Sequence, residues 1–149
     1  MTRGFWKQHG ERMNYDESEL SLIAQICKEI EAKHSLGKDS SRKLADSFGK
    51  RFQKAFELIK RGSVKRYAFR PSGRVIWEVR GKGSTYQVLP HTNFCSCDDY
   101  YFRVMNSKKQ LCYHILAQRI ASALGKFEKE ECSDRDYGKV TRKWRGSVK

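Results

Sequence analysis

Apolar residues recur every three or four positions in three segments of the chain, which is the period of an amphipathic helix. The first segment predicts a helix over about residues 16–34. The second predicts a helix over about 41–60, with Gly49 in its interior. These two helices are expected to form an antiparallel hairpin that buries one shared face. The third segment predicts a final helix over about 111–127.

Apolar and polar residues alternate in the region between the second and third helices, and a period of two indicates strands with one buried face. Short strands are predicted at residues 64–70, 74–80 and 84–89, with the turns Pro71-Ser72-Gly73 and Gly81-Lys82-Gly83 between them. Three short strands joined by tight turns favour a small antiparallel β-meander.

The predicted elements indicate an α+β fold with three parts. An N-terminal arm and the helical hairpin occupy residues 1–61, and the meander with the final helix occupies residues 62–127. Residues 128–149 are too polar to bury much apolar surface, so they are expected to form a charged, basic tail. Basic residues of this tail cluster around Trp144.

The chain of 149 residues carries 31 basic and 17 acidic residues, a formal net charge of +14. Such an excess favours polyanionic partners, with nucleic acid first, although an acidic protein surface or an anionic membrane would match the same charge. No run of 18 apolar residues is present, so no segment is expected to span a bilayer, and a membrane is not among the expected partners. The N-terminus lacks the apolar core of a signal peptide, and we expect an intracellular protein. Its five cysteines then indicate metal binding or free thiols before disulfides.

Two close pairs of metal-binding residues frame one loop. The triplet Cys95-Ser96-Cys97 is followed by fourteen residues and then by Cys112-Tyr113-His114. Zinc prefers four tetrahedral ligands of thiolate and imidazole type, and closed sites with four protein ligands are structural. The spacing therefore predicts one structural Zn²⁺ per chain, bound by Cys95, Cys97, Cys112 and His114. The alternative, buried thiols beside a surface histidine, requires two unrelated pairs to fall by chance around one loop.

The remaining cysteines and histidines fit a functional site less well. His91 is close enough in sequence to substitute as a ligand but ranks below His114. Cys27 lies on an apolar helical stripe and is expected in the core, and Cys132 is expected to be an exposed tail thiol. A redox role is disfavoured because CxC differs from the CxxC of thiol oxidoreductases. A catalytic zinc has three protein ligands and an open position, so no catalytic residue and no small-molecule substrate are predicted here.

Residues 60–82 contain eight basic residues and one acid, Glu78. We expect one face of the sheet to present several of these charges to phosphates, which binds nucleic acid without reading its sequence. The aromatic residues Tyr67, Phe69 and Tyr86 stack bases only if they are exposed, and core positions are favoured for them. The alternative is a solvated basic surface. The candidate nucleic-acid contacts are Lys65, Arg66, Arg70, Arg74, Arg80 and Lys82.

The pattern CxC–x14–CxH, placed after a β-meander and at the start of an apolar helix, resembles a SWIM-type zinc finger. The resemblance extends over about residues 55–125, where FELIKRGSVKRYAFRPSGRVIWEVRGKGSTYQVLPHTNFCSC and LCYHILAQRIASAL are similar to the small SWIM proteins of the Shu-complex type. These proteins occur in eukaryotes and archaea. The resemblance implies zinc binding by the four motif residues, and work in homologous recombination and DNA repair beside a RecA-family recombinase paralogue. The compartment it implies is the nucleus of a eukaryote or the cytoplasm and nucleoid of an archaeon.

Two function hypotheses follow from the sequence. The first is a zinc-stabilised adaptor that contacts DNA and a RecA-family ATPase, and the absence of a GxxxxGK[ST] loop leaves ATP chemistry to that partner. The second is a protein–protein interaction module without DNA binding, of the transposase-associated or substrate-adaptor type. Titration with labelled oligonucleotides at several salt concentrations separates the two hypotheses.

Overall fold

The computed structural model describes residues 19–97 and 111–147. The predicted arm over 1–15 and the loop between the two ligand pairs therefore lie outside the described residues. The helices are α1 (19–33), α2 (Lys38–Phe48), α3 (Lys50–Lys60), α4 (Tyr113–Leu124) and α5 (Tyr137–Ser147). The strands are β1 (Val64–Arg70), β2 (Val75–Arg80), β3 (Thr85–Leu89), β4 (Phe94–Cys95) and β5 (Glu128–Ser133), and short 3-10 turns cover Pro90–Thr92 and Asp134–Asp136. None of the described helices is long and apolar enough to cross a membrane.

The predicted second helix is divided at Gly49. The backbone of Gly49 has φ 56° and ψ −126°, which residues with a side chain rarely adopt, so α2 ends and α3 begins there. The expectation of one continuous helix over 41–60 is therefore wrong. Periodicity did not reveal the break because Phe48 and Phe52, on either side of it, both reach the same core.

The sheet has five strands in the order β4-β3-β2-β1-β5. The predicted meander is confirmed, because β1 pairs antiparallel with β2 and β2 pairs antiparallel with β3. Strand β4 continues the antiparallel order, with Cys95 opposite Val88. Strand β5 lies on the other side and runs parallel to β1, with Lys65 opposite Glu128.

The sheet packs against helices on both faces. Its helical face carries Val64, Trp77, Val79 and Val88 and shares one core with apolar residues of α1 to α4. Its α5 face carries Tyr67, Phe69 and Ile76, which form a second cluster with Trp144. Because side chains alternate along a strand, each basic residue of β1 or β2 is committed to one of these two faces.

Residues 128–144 are folded: 128–133 form a strand of the sheet, and the helix that begins at Tyr137 packs on it through Trp144. The expectation of a charged tail over 128–149 is therefore wrong for these residues. Strand β5 has the sequence EKEECS, and its charged side chains suit the exposed edge of a sheet next to the basic strand β1. Helix α5 then places Trp144, which is only 2% exposed, edge-on to the ring of Tyr67. Cys132 is half-buried against this cluster and is not an exposed tail thiol. Sequence analysis missed β5 and α5 because both are poor in apolar residues. One large side chain, Trp144, supplies much of the apolar surface by which they pack.

Candidate metal centre

The structure brings the four predicted ligands together. Cys95 ends β4, Cys97 follows two residues later, Cys112 precedes the first residue of α4, and His114 lies in the first turn of that helix. One ligand atom of each residue lies within 4.8 Å of the others, and all four residues are buried. The sheet end and the start of α4 therefore meet at this cluster, as the spacing predicts.

The first pair of ligands is fixed by backbone pairing with β3. The amide of Ser96 donates a 3.1 Å hydrogen bond to the carbonyl of Gln87, and the amide of Gln87 donates to the Ser96 hydroxyl at 3.0 Å. Ser96 is thus held by two hydrogen bonds to Gln87 of β3, while its neighbours Cys95 and Cys97 contribute to the cluster. The residue between the ligands acts as an anchor for the CxC triplet.

The second pair is held by the helix start and by Arg51 of α3. The amide of Leu116 donates a 3.1 Å hydrogen bond to the carbonyl of Cys112, which begins the helical bonding of α4. The guanidinium of Arg51 donates to the carbonyl of Leu111 at 2.7 Å and to the carboxylate of Glu19 at 2.6 Å. These bonds join α1, α3 and the segment before Cys112, so the helical layer positions the CxH triplet.

The imidazole of His114 is buried, and its two ring nitrogens are suited to bind a metal ion. Neither ring nitrogen makes a hydrogen bond with the described residues. The rings of Tyr86 and Tyr113 pack against it with centroids at 4.4 and 4.2 Å. A buried polar atom without a partner costs about 1–3 kcal/mol. Coordination of a metal by one nitrogen removes that cost for the coordinating atom.

The three thiols perturb one another strongly. Hydrogen bonds from Cys112 and Cys95 lower the pKa of the Cys97 thiol well below its usual range. Hydrogen bonds to Cys112 and Cys97, together with burial, raise the pKa of the Cys95 thiol. Without a cation the cluster therefore favours one thiolate among protonated neighbours, whereas a divalent cation allows all three to ionise.

The donor set fits zinc. Three sulfurs and one imidazole nitrogen are a Cys₃His structural set, and zinc bonds of about 2.3 Å to sulfur and 2.0–2.1 Å to nitrogen place neighbouring ligand atoms about 3.5–3.8 Å apart. The observed cluster needs only a small contraction to reach that geometry. When bound, zinc supplies a cross-link between the sheet and α4, and four protein ligands leave no position for water or substrate.

The other candidate ligands lie elsewhere. His91 is exposed on the 3-10 turn and is not part of the four-residue cluster. Cys27 is half-buried against the main core, and its thiol donates a 3.5 Å hydrogen bond to the carbonyl of Arg119. Burial raises the pKa of Cys27 to about 11, against the opposing charge of Arg119, so this thiol stays protonated. The expectation that Cys27 packs against the core is confirmed.

The candidate nucleic-acid contacts do not form one surface. Arg66 and Arg70 lie on the helical face, whereas Lys65 and Arg80 lie on the α5 face. The guanidinium of Arg74 stacks over the ring of Tyr137 in α5, 3.8 Å from its centroid. The expectation of a single basic sheet face is wrong because the register assigns these residues to opposite faces.

Three of these candidates are paired with glutamates of β5. The ion pairs are Lys65–Glu130 at 2.7 Å, Arg70–Glu131 at 2.7 Å and Arg80–Glu128 at 3.5 Å. Hydrogen bonds from Lys65 and Arg70 lower the pKa of the Glu130 and Glu131 carboxyls. Sequence reasoning missed these partners, although the complementary signs of EKEE and the basic β1 strand were a usable signal.

The aromatic residues of the strands lie where core packing needs them. Tyr67 and Phe69 are buried under α5, which confirms the favoured core positions. Tyr86 is half-buried and packs against His114. Gly81 lies next to it, and a Cβ at Gly81 would come within 3.0 Å of the Tyr86 ring. This close approach explains the glycine and was not visible from sequence.

Several known proteins are similar to this chain. An uncharacterized protein from Archaeoglobus fulgidus is 35% identical over 97 residues, which cover 65% of this chain and 76% of the relative. The Zinc finger SWIM domain-containing protein 7 homolog of Dictyostelium discoideum is 26% identical over 126 residues, covering 83% and 81%. Zinc finger SWIM domain-containing protein 7 of Mus musculus is 34% identical over 90 residues, covering 59% of each chain. No protein-family model and no solved structure matches the chain.

The relatives and the site geometry agree with each other. The named relatives carry the SWIM zinc finger in their names, and the structure buries three cysteines and one histidine at CxC and CxH spacing in one cluster. The similarity to the named relatives and the Cys/His cluster together support a SWIM-type zinc finger protein.

Proposed function

We propose that this protein is a non-catalytic, zinc-stabilised adaptor of homologous recombination and DNA repair that binds a RecA-family recombinase paralogue and DNA. The observation that carries the proposal is the closed donor set, in which all four zinc ligands are buried protein side chains. The resemblance to small SWIM proteins of the Shu-complex type indicates the pathway and the class of partner. The net charge of +14 supports a polyanionic ligand.

The zinc has a structural role in this proposal. A catalytic zinc needs an open position, and the four ligands fill the tetrahedral shell. The SWIM relatives are named as zinc finger proteins. Any ATP hydrolysis in the assembly then belongs to the recombinase paralogue.

We expect the paralogue to contact the helical layer. Phe56 of α3 is an exposed large apolar residue, and its ring lies 5.9 Å from that of the buried Phe52. Val75 of β2 is exposed to a similar extent and provides a matched control. Co-expression with tagged RecA-family paralogues should show loss of co-purification for Phe56→Glu and retention for Val75→Glu. If wild-type protein retains none of the paralogues, the partner half of the proposal is wrong.

A second candidate function is a protein–protein interaction module without DNA binding. The observation that favours it is the pairing of Lys65, Arg70 and Arg80 with glutamates of β5, which neutralises part of the charge expected to meet phosphates. Titration of the protein and of its paralogue complex with labelled oligonucleotides, starting near 50 mM salt, decides between the two. If neither binds, DNA binding is refuted and the protein–protein interaction module is favoured.

A further inference from the structure

A groove beside the zinc ligand His114 differs from the basic strands β1 and β2 in how its charges are paired. It has a volume of about 370 Å³ and lies between α3, the turn that joins β2 to β3, and the start of α4. We call it the α3 groove. Its polar and aromatic lining consists of Lys54, Glu57, Arg61, Lys82, Tyr86 and Tyr113.

The cations of the α3 groove are available for a ligand. Lys54, Arg61 and Lys82 are exposed, and none forms an ion pair with the residues that the structure describes. Glu57 is the acidic residue among those lining the groove, so the lining has an excess of two positive charges. The basic residues of β1 and β2 contrast with this, because three of the four, Lys65, Arg70 and Arg80, are paired with glutamates of β5.

The groove also contains aromatic surface. Tyr86 and Tyr113 are half-buried and flank His114, and the ammonium of Lys54 lies 5.2 Å from the centroid of the Tyr113 ring. Gly81, which has no side chain, leaves the groove open beside Tyr86. Cations spaced around aromatic rings are the arrangement by which proteins bind single-stranded nucleic acid, with phosphates on the cations and bases on the rings.

We propose that single-stranded nucleic acid binds in the α3 groove, with phosphates on Lys54, Arg61 and Lys82 and a base against the tyrosines. The inference rests on the proposed function, since it assigns a place to the DNA half of that function. The volume lies in the range of pockets that hold small organic groups, about 300–1,000 Å³, and so accommodates a nucleotide. The aromatic surface favours nucleic acid over an acidic peptide, which needs only the cations.

The first test removes the three groove charges. The variant Lys54→Gln/Arg61→Gln/Lys82→Gln is compared with the control Arg135→Gln/Lys139→Gln/Arg142→Gln, which removes three exposed charges from the α5 side. Binding of a labelled oligo-dT 20-mer is measured by anisotropy between about 0.05 and 0.3 M salt. Each phosphate contact on a single strand contributes about 0.7 to the slope of log affinity against log salt, so the groove variant should lose about 2 in slope and about 100-fold in affinity at 0.1 M. The control should lose less than about threefold, and zinc content and melting temperature verify that both variants fold.

The second test examines the bases without changing the protein. An abasic 20-mer keeps the phosphates of oligo-dT and lacks the stacking groups, so it should bind the wild-type protein about 5- to 150-fold more weakly. Equal affinity for both oligonucleotides overturns the stacking. Displacement of oligo-dT by poly-glutamate at equal charge concentration assigns the groove to an acidic peptide and also overturns the proposal.

The outcomes of these tests separate a failure of the α3 groove proposal from a failure of the proposed function. If wild-type protein binds oligo-dT and the groove variant binds it equally well, the α3 groove is not the binding site. The DNA part of the proposed function then stands. If neither the wild-type protein nor its paralogue complex binds oligo-dT, the α3 groove proposal is wrong, and absence of binding to duplex DNA as well would refute the DNA part of the proposed function.

Discussion

Glu78 is a carboxylate buried inside the α5 face, and its pairing with Lys143 gives the sharpest prediction for stability. Glu78 is 3% exposed, accepts a 3.2 Å hydrogen bond from the Tyr67 hydroxyl and forms an ion pair with the Lys143 ammonium. That ammonium also donates to the Tyr67 hydroxyl at 3.1 Å. Burial lowers the pKa of Lys143, but its hydrogen bonds to Glu78 and Tyr67 outweigh this and raise it above its usual value. The change Lys143→Met removes the charge and keeps the length of the aliphatic stem.

The expected loss lies between two limits. Removing one partner of a buried pair costs about 3–5 kcal/mol, and an exposed pair contributes about 0–1 kcal/mol. Because the Lys143 side chain is 41% exposed while Glu78 is buried, solvent screens one partner only, and we expect a loss of about 2 kcal/mol. For a chain of this size that loss lowers the melting temperature by about 4–8 °C.

Urea unfolding at a fixed free zinc concentration measures this loss. Lys139→Met, an exposed site on the same helix, is the matched control and should change stability by less than about 0.5 kcal/mol. The double variant Lys143→Met/Glu78→Gln removes both charges and should recover about half of the loss. The reasoning is refuted if Lys143→Met equals wild type. A double variant as unstable as Lys143→Met would instead attribute the loss to the packing of α5.

Three further predictions concern the metal, the helix break and the added strand. Cys112→Ser should abolish zinc binding and lower the melting temperature sharply, because structural zinc contributes about 10–16 kcal/mol in finger peptides, while Cys27→Ser should keep one zinc per chain in metal analysis. Gly49→Ala should cost about 1–3 kcal/mol in urea unfolding from backbone strain alone, since a Cβ there meets nothing within 4 Å, and an unchanged stability would contradict the φ of 56°. The pKa of Glu130 is lowered by Lys65, so this carboxyl stabilises the fold above its ordinary pKa of about 4.5 and loses that effect as the pH falls through its folded value. The stability difference between wild type and Lys65→Met should therefore shrink below about pH 4.5, and a difference that stays constant from pH 6 to 3 would argue against the pair.

The zinc site and the meander were predictable because their signals are local. Each ligand pair is separated by a single residue, so Cys95 with Cys97 and Cys112 with His114 identify two chelating triplets before any fold is known. Strand alternation and two glycine-containing turns similarly specify the order of β1 to β3. Local spacing also put the second triplet at the start of a helix, where the structure has it.

Most of the errors concern contacts between distant parts of the chain, and one concerns a local backbone conformation. Strand β5 pairs with β1 across 63 positions, from Lys65 to Glu128, and its charged sequence has no apolar period to detect. The split of the basic residues between faces depends on the pairing register, which opposes Arg66 to Trp77 and Lys65 to Glu78. Gly49 was visible in the sequence, but only its backbone conformation shows that it ends one helix and begins another.

The parallel pairing of β5 with β1 determines where the chain can be cut. All four ligands are present once residue 114 has been synthesised, yet the outer edge of β1 remains unpaired until residues 128–133 follow. A fragment ending at residue 127 keeps every zinc ligand but exposes the backbone hydrogen-bonding groups along β1 and the apolar side chains Tyr67, Phe69 and Ile76. An exposed strand edge beside an apolar surface is a template for aggregation. A fragment that keeps the β1 edge paired and this apolar surface covered therefore has to extend past the finger to Trp144.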